Sequence, residues 1–141
     1  MNPNEITLSY KLYWYKCTKK DDLSEIPYPH INVGKAIAQF ISSRTIDKHI
    51  GFEVEEHFKK LVRDSIQEYR GIKGVALTNI GILLESELSL NVVKILMDIS
   101  RSFAIILVWP FTIENSRRFL WDETSKLSLD FPERSIHRLE L

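Results

Sequence analysis

Val75-Ala76-Leu77-Thr78, then Asn79-Ile80-Gly81-Ile82-Leu83-Leu84-Glu85, then Leu90–Ile99, and finally Phe103-Ala104-Ile105-Ile106-Leu107-Val108-Trp109: this stretch decides the fold. It reads as strand, helix, strand. Both strands are apolar on both faces, so neither has a solvated face. Strands of that kind belong to a parallel sheet covered on each side by helices. In a nucleotide-binding α/β protein, a metal-orienting Asp stands at the end of the first of these strands. Here Thr78 stands there. The stretch has the pattern of an ATPase core without the chemistry of one.

Working outward, Ile6–Cys17 reads as a strand with Leu8, Tyr10, Leu12 and Trp14 on one face. Lys16–Asp22 follows as a charged turn. Pro27-Tyr28-Pro29-His30 enforces an extended entry into a short strand at Ile31-Asn32-Val33. Lys35–Ser43 has the spacing of a helix. A longer helix is expected over Val54–Arg70, where Phe58, Leu61, Val62, Ile66 and Tyr69 share a face and Gly71 gives the stop. Beyond Pro110, a short helix is expected around Glu114–Trp121 and a closing strand over Ser135–Leu141. Strands alternating with helices predict a three-layer α/β sheet, mostly parallel, of four or five strands with flanking helices and right-handed connections.

The 141 residues fit one domain, 1–141. The hydrophobic share of 44%, with seven Phe, five Tyr and three Trp, is enough for a real core and argues against disorder. Nineteen basic and nineteen acidic residues cancel, which argues against a general binder of nucleic acid or anionic membrane. The single cysteine, Cys17, cannot close an internal disulfide, so a reducing cytoplasm is the expected setting. The first twenty residues show no signal-peptide core, and the apolar run Ala104–Trp109 is far short of a membrane span.

A working phosphate loop needs glycines for close backbone approach, a Lys, and a Ser or Thr for magnesium. After Tyr13-Trp14-Tyr15 the chain has Lys16-Cys17-Thr18-Lys19-Lys20-Asp21-Asp22, with no glycine. Lys19 and Lys20, joined by Glu85, are the candidates for a non-standard nucleotide site. Against that site, Asp21 and Asp22 repel phosphate. Gly34-Lys35 lacks the upstream glycine and is followed by Ala36, which favours a plain strand-to-helix junction. Glu85, Glu87 and Asp98 are better explained by dipole stabilisation and solvation than by a metal, with Ser89 as the helix N-cap. His30, His49, His57 and His137 have no ligand spacing, and Cys17 has no His base nearby in sequence. No cofactor or metal is expected.

Arg117-Arg118 with Phe119 and Trp121 combines charge and aromatics. Together with Trp109 and Phe111, these residues are expected to contribute to a protein interface, since Trp and Arg are typical anchors.

From Pro27 onward the sequence resembles the small P-loop protein family of BREX phage-defence systems, compact relatives of AAA-type ATPases. The resemblance rests on Tyr28-Pro29-His30-Ile31-Asn32-Val33, Leu77-Thr78-Asn79-Ile80-Gly81-Ile82-Leu83, Ile99-Ser100-Arg101 and Val108-Trp109, about two thirds of the chain. It implies a P-loop-NTPase-like fold and a setting in antiviral defence. The family pattern implies acids at the positions of Thr78 and Gly81 and a glycine-rich loop upstream. This chain departs at all three, as a degenerate member would. The resulting expectation is a pseudo-ATPase subunit, not an enzyme. It would dock on a larger motor, nuclease or DNA-binding protein, with a homo-oligomer as an alternative assembly, and touch nucleic acid only indirectly. The alternatives are an ATPase subunit with a non-standard site and a nucleic-acid-binding adaptor.

Overall fold

The computed structural model describes residues 10–17, 20–121 and 127–140. Five strands run parallel in one sheet: β1 (Leu12–Lys16), β2 (His30–Asn32), β4 (Ile72–Thr78), β5 (Ala104–Trp109) and β9 (His137–Arg138). Their order is β2-β4-β5-β1-β9, and β3 (Gln67–Tyr69) pairs antiparallel with β4, giving six strands. The fold is thus α/β with a mostly parallel sheet flanked by helices. The two apolar runs that begin the sequence argument are adjacent central strands, with Val75 beside Ile105 and Leu77 beside Leu107. All six residues of β5 are buried.

Side-chain alternation assigns the two faces. Leu12, Val75, Leu77, Ile105, Leu107 and Trp109 point to a first face. There they meet α1 (Val33–Ser42), α2 (Ile50–Ser65) and α3 (Val92–Ser100) through Ile37, Val54, Phe58, Val62 and Leu96. Cys17, Ala76, Ile106 and Val108 point to the second face, which is covered by Ile26, Leu23, Tyr28 and Leu139. Leu23 belongs to a six-residue 3-10 helix, Lys20–Glu25. The connection from β1 to β2 runs over the second face. The returns from β2 to β4, β4 to β5 and β5 to β9 run over the first. All four crossovers therefore share one hand, as parallel strands require.

Local chemistry explains the boundaries. Asn32 caps α1 by accepting from Lys35 N at 3.0 Å, and Asn91 caps α3 by accepting from Lys94 N at 3.1 Å. The expected cap Ser89 is displaced from that role. It sits left-handed, φ 51°, at the end of the 3-10 turn Ser86–Leu88. The expected long helix also ends early, at Ser65. Arg70 and Gly71, at φ 51° and 83°, form the two-residue turn of a hairpin that pairs Tyr69 with Ile72. Two consecutive left-handed residues are what a tight hairpin needs, and this overrides the helical spacing of Ile66 and Tyr69. Gly71 is a hairpin residue, not a helix stop.

The tail departs most. In place of a helix around Glu114–Trp121, β6 (Ile113–Glu114), β7 (Arg118–Leu120) and β8 (Ser128–Asp130) form an antiparallel sheet. Ile113, Phe119 and Leu129 stand in register and point inward. Asn115 and Ser116, at φ 54° and 57°, break any helix there. Part of the closing strand does form, as β9 beside β1. Leu8, Lys19 and Leu141 lie outside the described residues.

Candidate functional site

In open α/β sheets, ligands bind beyond the carboxyl ends of the strands, where neighbouring connections leave in opposite directions. Here that point lies between β1, whose chain goes on to β2, and β5, whose chain goes on to β9. The residues arriving there are Lys16, Cys17, Trp109, Pro110 and Phe111, with Thr78 and Asn79 at the end of β4.

Aromatic side chains occupy this end of the sheet. Trp109 is fully buried and donates from Nε1 to the Leu120 carbonyl at 3.0 Å. Its ring meets Trp121 at 5.3 Å and Phe119 at 5.5 Å, both edge to face. Phe111 meets Trp121 at 5.0 Å. Gly81 makes room for Trp121: a Cβ there would lie 2.2 Å from the indole Cε2. The Lys16 ammonium donates to the Phe111 carbonyl. At the neighbouring strand ends, Thr78 Oγ1 donates to the Ile31 carbonyl at 3.2 Å and Asn79 Nδ2 to Asn32 Oδ1 at 3.1 Å. Gly34 lies under Asn79, where a Cβ would meet Asn79 Nδ2 at 2.2 Å. That close approach is what requires a glycine at the Gly34-Lys35 junction.

The expected interface residues divide into two groups. Trp109 and Phe119 are fully buried and serve the core, and Phe111 and Trp121 are half-buried against them. Arg117 and Arg118 are exposed. Arg117 donates to the Phe131 carbonyl at 3.1 Å. Arg118 lies between two carboxylates, 3.7 Å from Glu114 and 3.5 Å from Asp130. A guanidinium flanked by two acids makes a poor phosphate contact and a good element of a mixed-charge protein surface.

Of the expected nucleotide-site residues, Lys19 lies outside the described ones. The segment opening at Lys20 packs on the second face, whereas Glu85 lines a groove with Ile41, Ile46 and Ile50 on the helical face. Glu85, Glu87 and Asp98 are exposed, and no group of three potential metal ligands occurs among the described residues. His57 stacks on Phe40 at 4.1 Å, His30, His49 and His137 are exposed, and Cys17 is buried in the second-face core. No described helix is long and apolar enough to cross a membrane.

Sequence reasoning missed the contact of Trp121 with Gly81 and the tyrosines of the second face. The former joins residues forty apart and has no local signal. The latter did have one: Tyr13 and Tyr15 alternate with Leu12 and Trp14, so β1 is aromatic on both faces. Comparison with protein-family models, curated proteins and solved structures finds no match.

Proposed function

We propose that the chain is a non-catalytic, pseudo-ATPase-type subunit or adaptor that works by binding other proteins. Its proposed setting is a cytoplasmic complex of the BREX phage-defence kind. The observation carrying this reading is the filling of the carboxyl-end crevice by Trp109, Phe111 and Trp121 over Gly81. These side chains take space that a nucleotide would need, and the Lys16 ammonium is committed to a backbone carbonyl. A second support comes after β1. The six-residue 3-10 helix Lys20–Glu25 stands where a phosphate-binding protein sends in an α-helix with its N-terminus toward the phosphates. The strand order differs from both common doubly wound windings, the dinucleotide-binding and the flavodoxin-like, which leaves room for the P-loop class that the sequence resembles.

Titration calorimetry with ATP and magnesium should give no saturable heat. Saturable binding at micromolar concentration would overturn the reading and favour an ATPase with a non-standard site.

The interface is proposed to use Arg117 and Arg118 with the exposed edges of Phe111 and Trp121. Exposed charges away from the core change stability by no more than about 0.5 kcal/mol, whereas interface arginines often carry about 2 kcal/mol of binding. Arg117→Gln with Arg118→Gln removes both charges without adding a carboxylate beside Glu114 and Asp130, so it should leave the domain folded and abolish recovery of the partner from the native host. A double variant that recovers the partner as well as wild type would refute this surface.

A further inference from the structure

Among the described residues, no α-helix covers the second face of the sheet. A parallel sheet ordinarily buries both faces under helices, yet all three α-helices of the described residues pack on the first. Between the 20–29 segment and the lower half of the sheet lies a groove of about 520 Å³, lined chiefly by Tyr13, Tyr28, Tyr69, Ile72, Ile106 and Leu139. Tyr69 and Ile72 are 39% and 47% exposed, unusual for residues of their size. At Gly74 a Cβ would stand 2.7 Å from the Ala104 carbonyl oxygen and 3.1 Å from Tyr28 Cε1, so the neighbouring strand and the Tyr28 ring both lie close over it.

The rings form ridges, not a flat platform. Tyr28 and Tyr69 meet edge to face at 6.0 Å, and Tyr13 is tilted against His137 at 6.4 Å. The Tyr28 hydroxyl donates to the Ile72 carbonyl at 3.0 Å. Its pKa is raised, mainly by burial and further by the neighbouring Tyr13 and Tyr69, as befits a partly desolvated cleft. Charged side chains stand at both ends of the groove. Arg70 lies over the Tyr69 ring, 5.2 Å from its centroid, at the β3 end. Glu25 and Glu140 line the β9 end, where Glu25 accepts from the Tyr15 hydroxyl at 3.3 Å. Arg138 also borders this end, with its guanidinium 5.9 Å from the Trp14 ring, which packs on the first face.

We infer that this groove binds an extended, proline-rich peptide segment of a protein partner, oriented with a basic residue toward Glu25 and Glu140. Angled aromatic rings accept the polyproline II helix, whose backbone carbonyls are free to take hydrogen bonds from the hydroxyls of Tyr13 and Tyr69. The length agrees. From β3 to β9 is four strand spacings, about 19 Å, which polyproline II spans in about six residues at its rise of about 3.1 Å. The same groove suits single-stranded nucleic acid poorly, because its two carboxylates, Glu25 and Glu140, offset Arg70 and Arg138 and leave no net positive charge to hold a phosphate backbone. The inference gives the adaptor reading a second surface, independent of Arg117 and Arg118.

Random twelve-residue peptides displayed on phage and selected on the immobilised chain should converge on proline, with Lys or Arg at one fixed end. Tyr69→Ala should then weaken the enriched peptide about ten-fold, the loss of about 1.4 kcal/mol that one aromatic anchor represents. Tyr69 is exposed enough for this variant to keep its fold, as circular dichroism would verify. Glu25→Lys with Glu140→Lys should remove the preference for the basic end. Three results would overturn the inference: no enrichment of proline, binding indifferent to Tyr69→Ala, or tighter binding of a twelve-nucleotide thymidine strand to the same face. The selection uses the chain alone, so it can fail while the Arg117 and Arg118 interface stands, and the reverse.

Discussion

Trp109→Ala is expected to destabilise the domain by about 3–5 kcal/mol, the cost of emptying a fully buried Trp site. Trp109 has no exposed surface, closes β5, and touches Phe119 and Trp121. Its removal also leaves the Leu120 carbonyl without its indole donor, which adds the penalty of an unpaired polar group. Against a total stability of about 5–15 kcal/mol, the loss is large, and it should lower the melting temperature by about 10–15 °C. Trp109→Phe keeps part of the packing but not the hydrogen bond, and should fall between wild type and the alanine variant. Chemical denaturation followed by far-ultraviolet circular dichroism measures all three. A loss below about 1 kcal/mol for Trp109→Ala would mean that the aromatic cluster is not a core, and the residue would return to the list of candidate partner contacts.

That outcome bears on how the sequence was read. Trp109, Phe119, Arg117 and Arg118 look alike in a linear reading: aromatic and cationic residues in a tail without strong periodicity. The fold separates them by alternation along short strands. In β7, Phe119 points inward while Arg118 points outward between Glu114 and Asp130. Three-residue strands give too short a pattern for period two to be told from period 3.6, so the tail was the least legible part of the chain. The central strands were the most legible. Ile105, Ile106, Leu107 and Val108 are buried on both faces, and no helix of six residues would bury every side. Partial legibility marked the helix ending at Ser65, whose apolar spacing runs on past the true end. Arg70-Gly71 gave the stop its real form, a hairpin turn, which a helix-based expectation for Gly71 did not weigh.

The crevice at the carboxyl ends was half legible. The missing glycines and the Thr78 strand end are visible in the sequence. What fills the space is not, because it depends on the tail folding back over Gly81. An α/β sheet of this kind that supplied neither a phosphate loop nor a filling would leave a hole at its switch point. Such a hole costs stability in proportion to its volume. On the proposed reading, the aromatic cluster is the structural counterpart of the missing phosphate loop, and the residue facing Trp121 is the place where the two can be tested together.

Gly81→Ala should destabilise the wild-type chain by about 1–3 kcal/mol, the usual range for overpacking. The added Cβ would stand 2.2–2.6 Å from three indole atoms of Trp121, so the ring must leave its place against Trp109 and Phe111. Gly81 does not hold a left-handed φ. With the indole gone, an alanine at 81 meets no conformational penalty and reduces the freedom of the unfolded chain, a stabilisation of about 0.4–1 kcal/mol. The substitution should therefore change sign: destabilising in wild type, neutral to stabilising in a Trp121→Ala background, with a coupling energy of about 1–3 kcal/mol across the double-mutant cycle. Tryptophan fluorescence gives an independent reading, since Gly81→Ala in the wild-type chain should shift emission to the red as Trp121 enters solvent. If Gly81→Ala costs the same in both backgrounds, Trp121 does not occupy the space above Gly81. The crevice would then be open at that point, and the case against a nucleotide there would rest on the missing glycines, Thr78, the Lys16 contact and the 3-10 helix after β1.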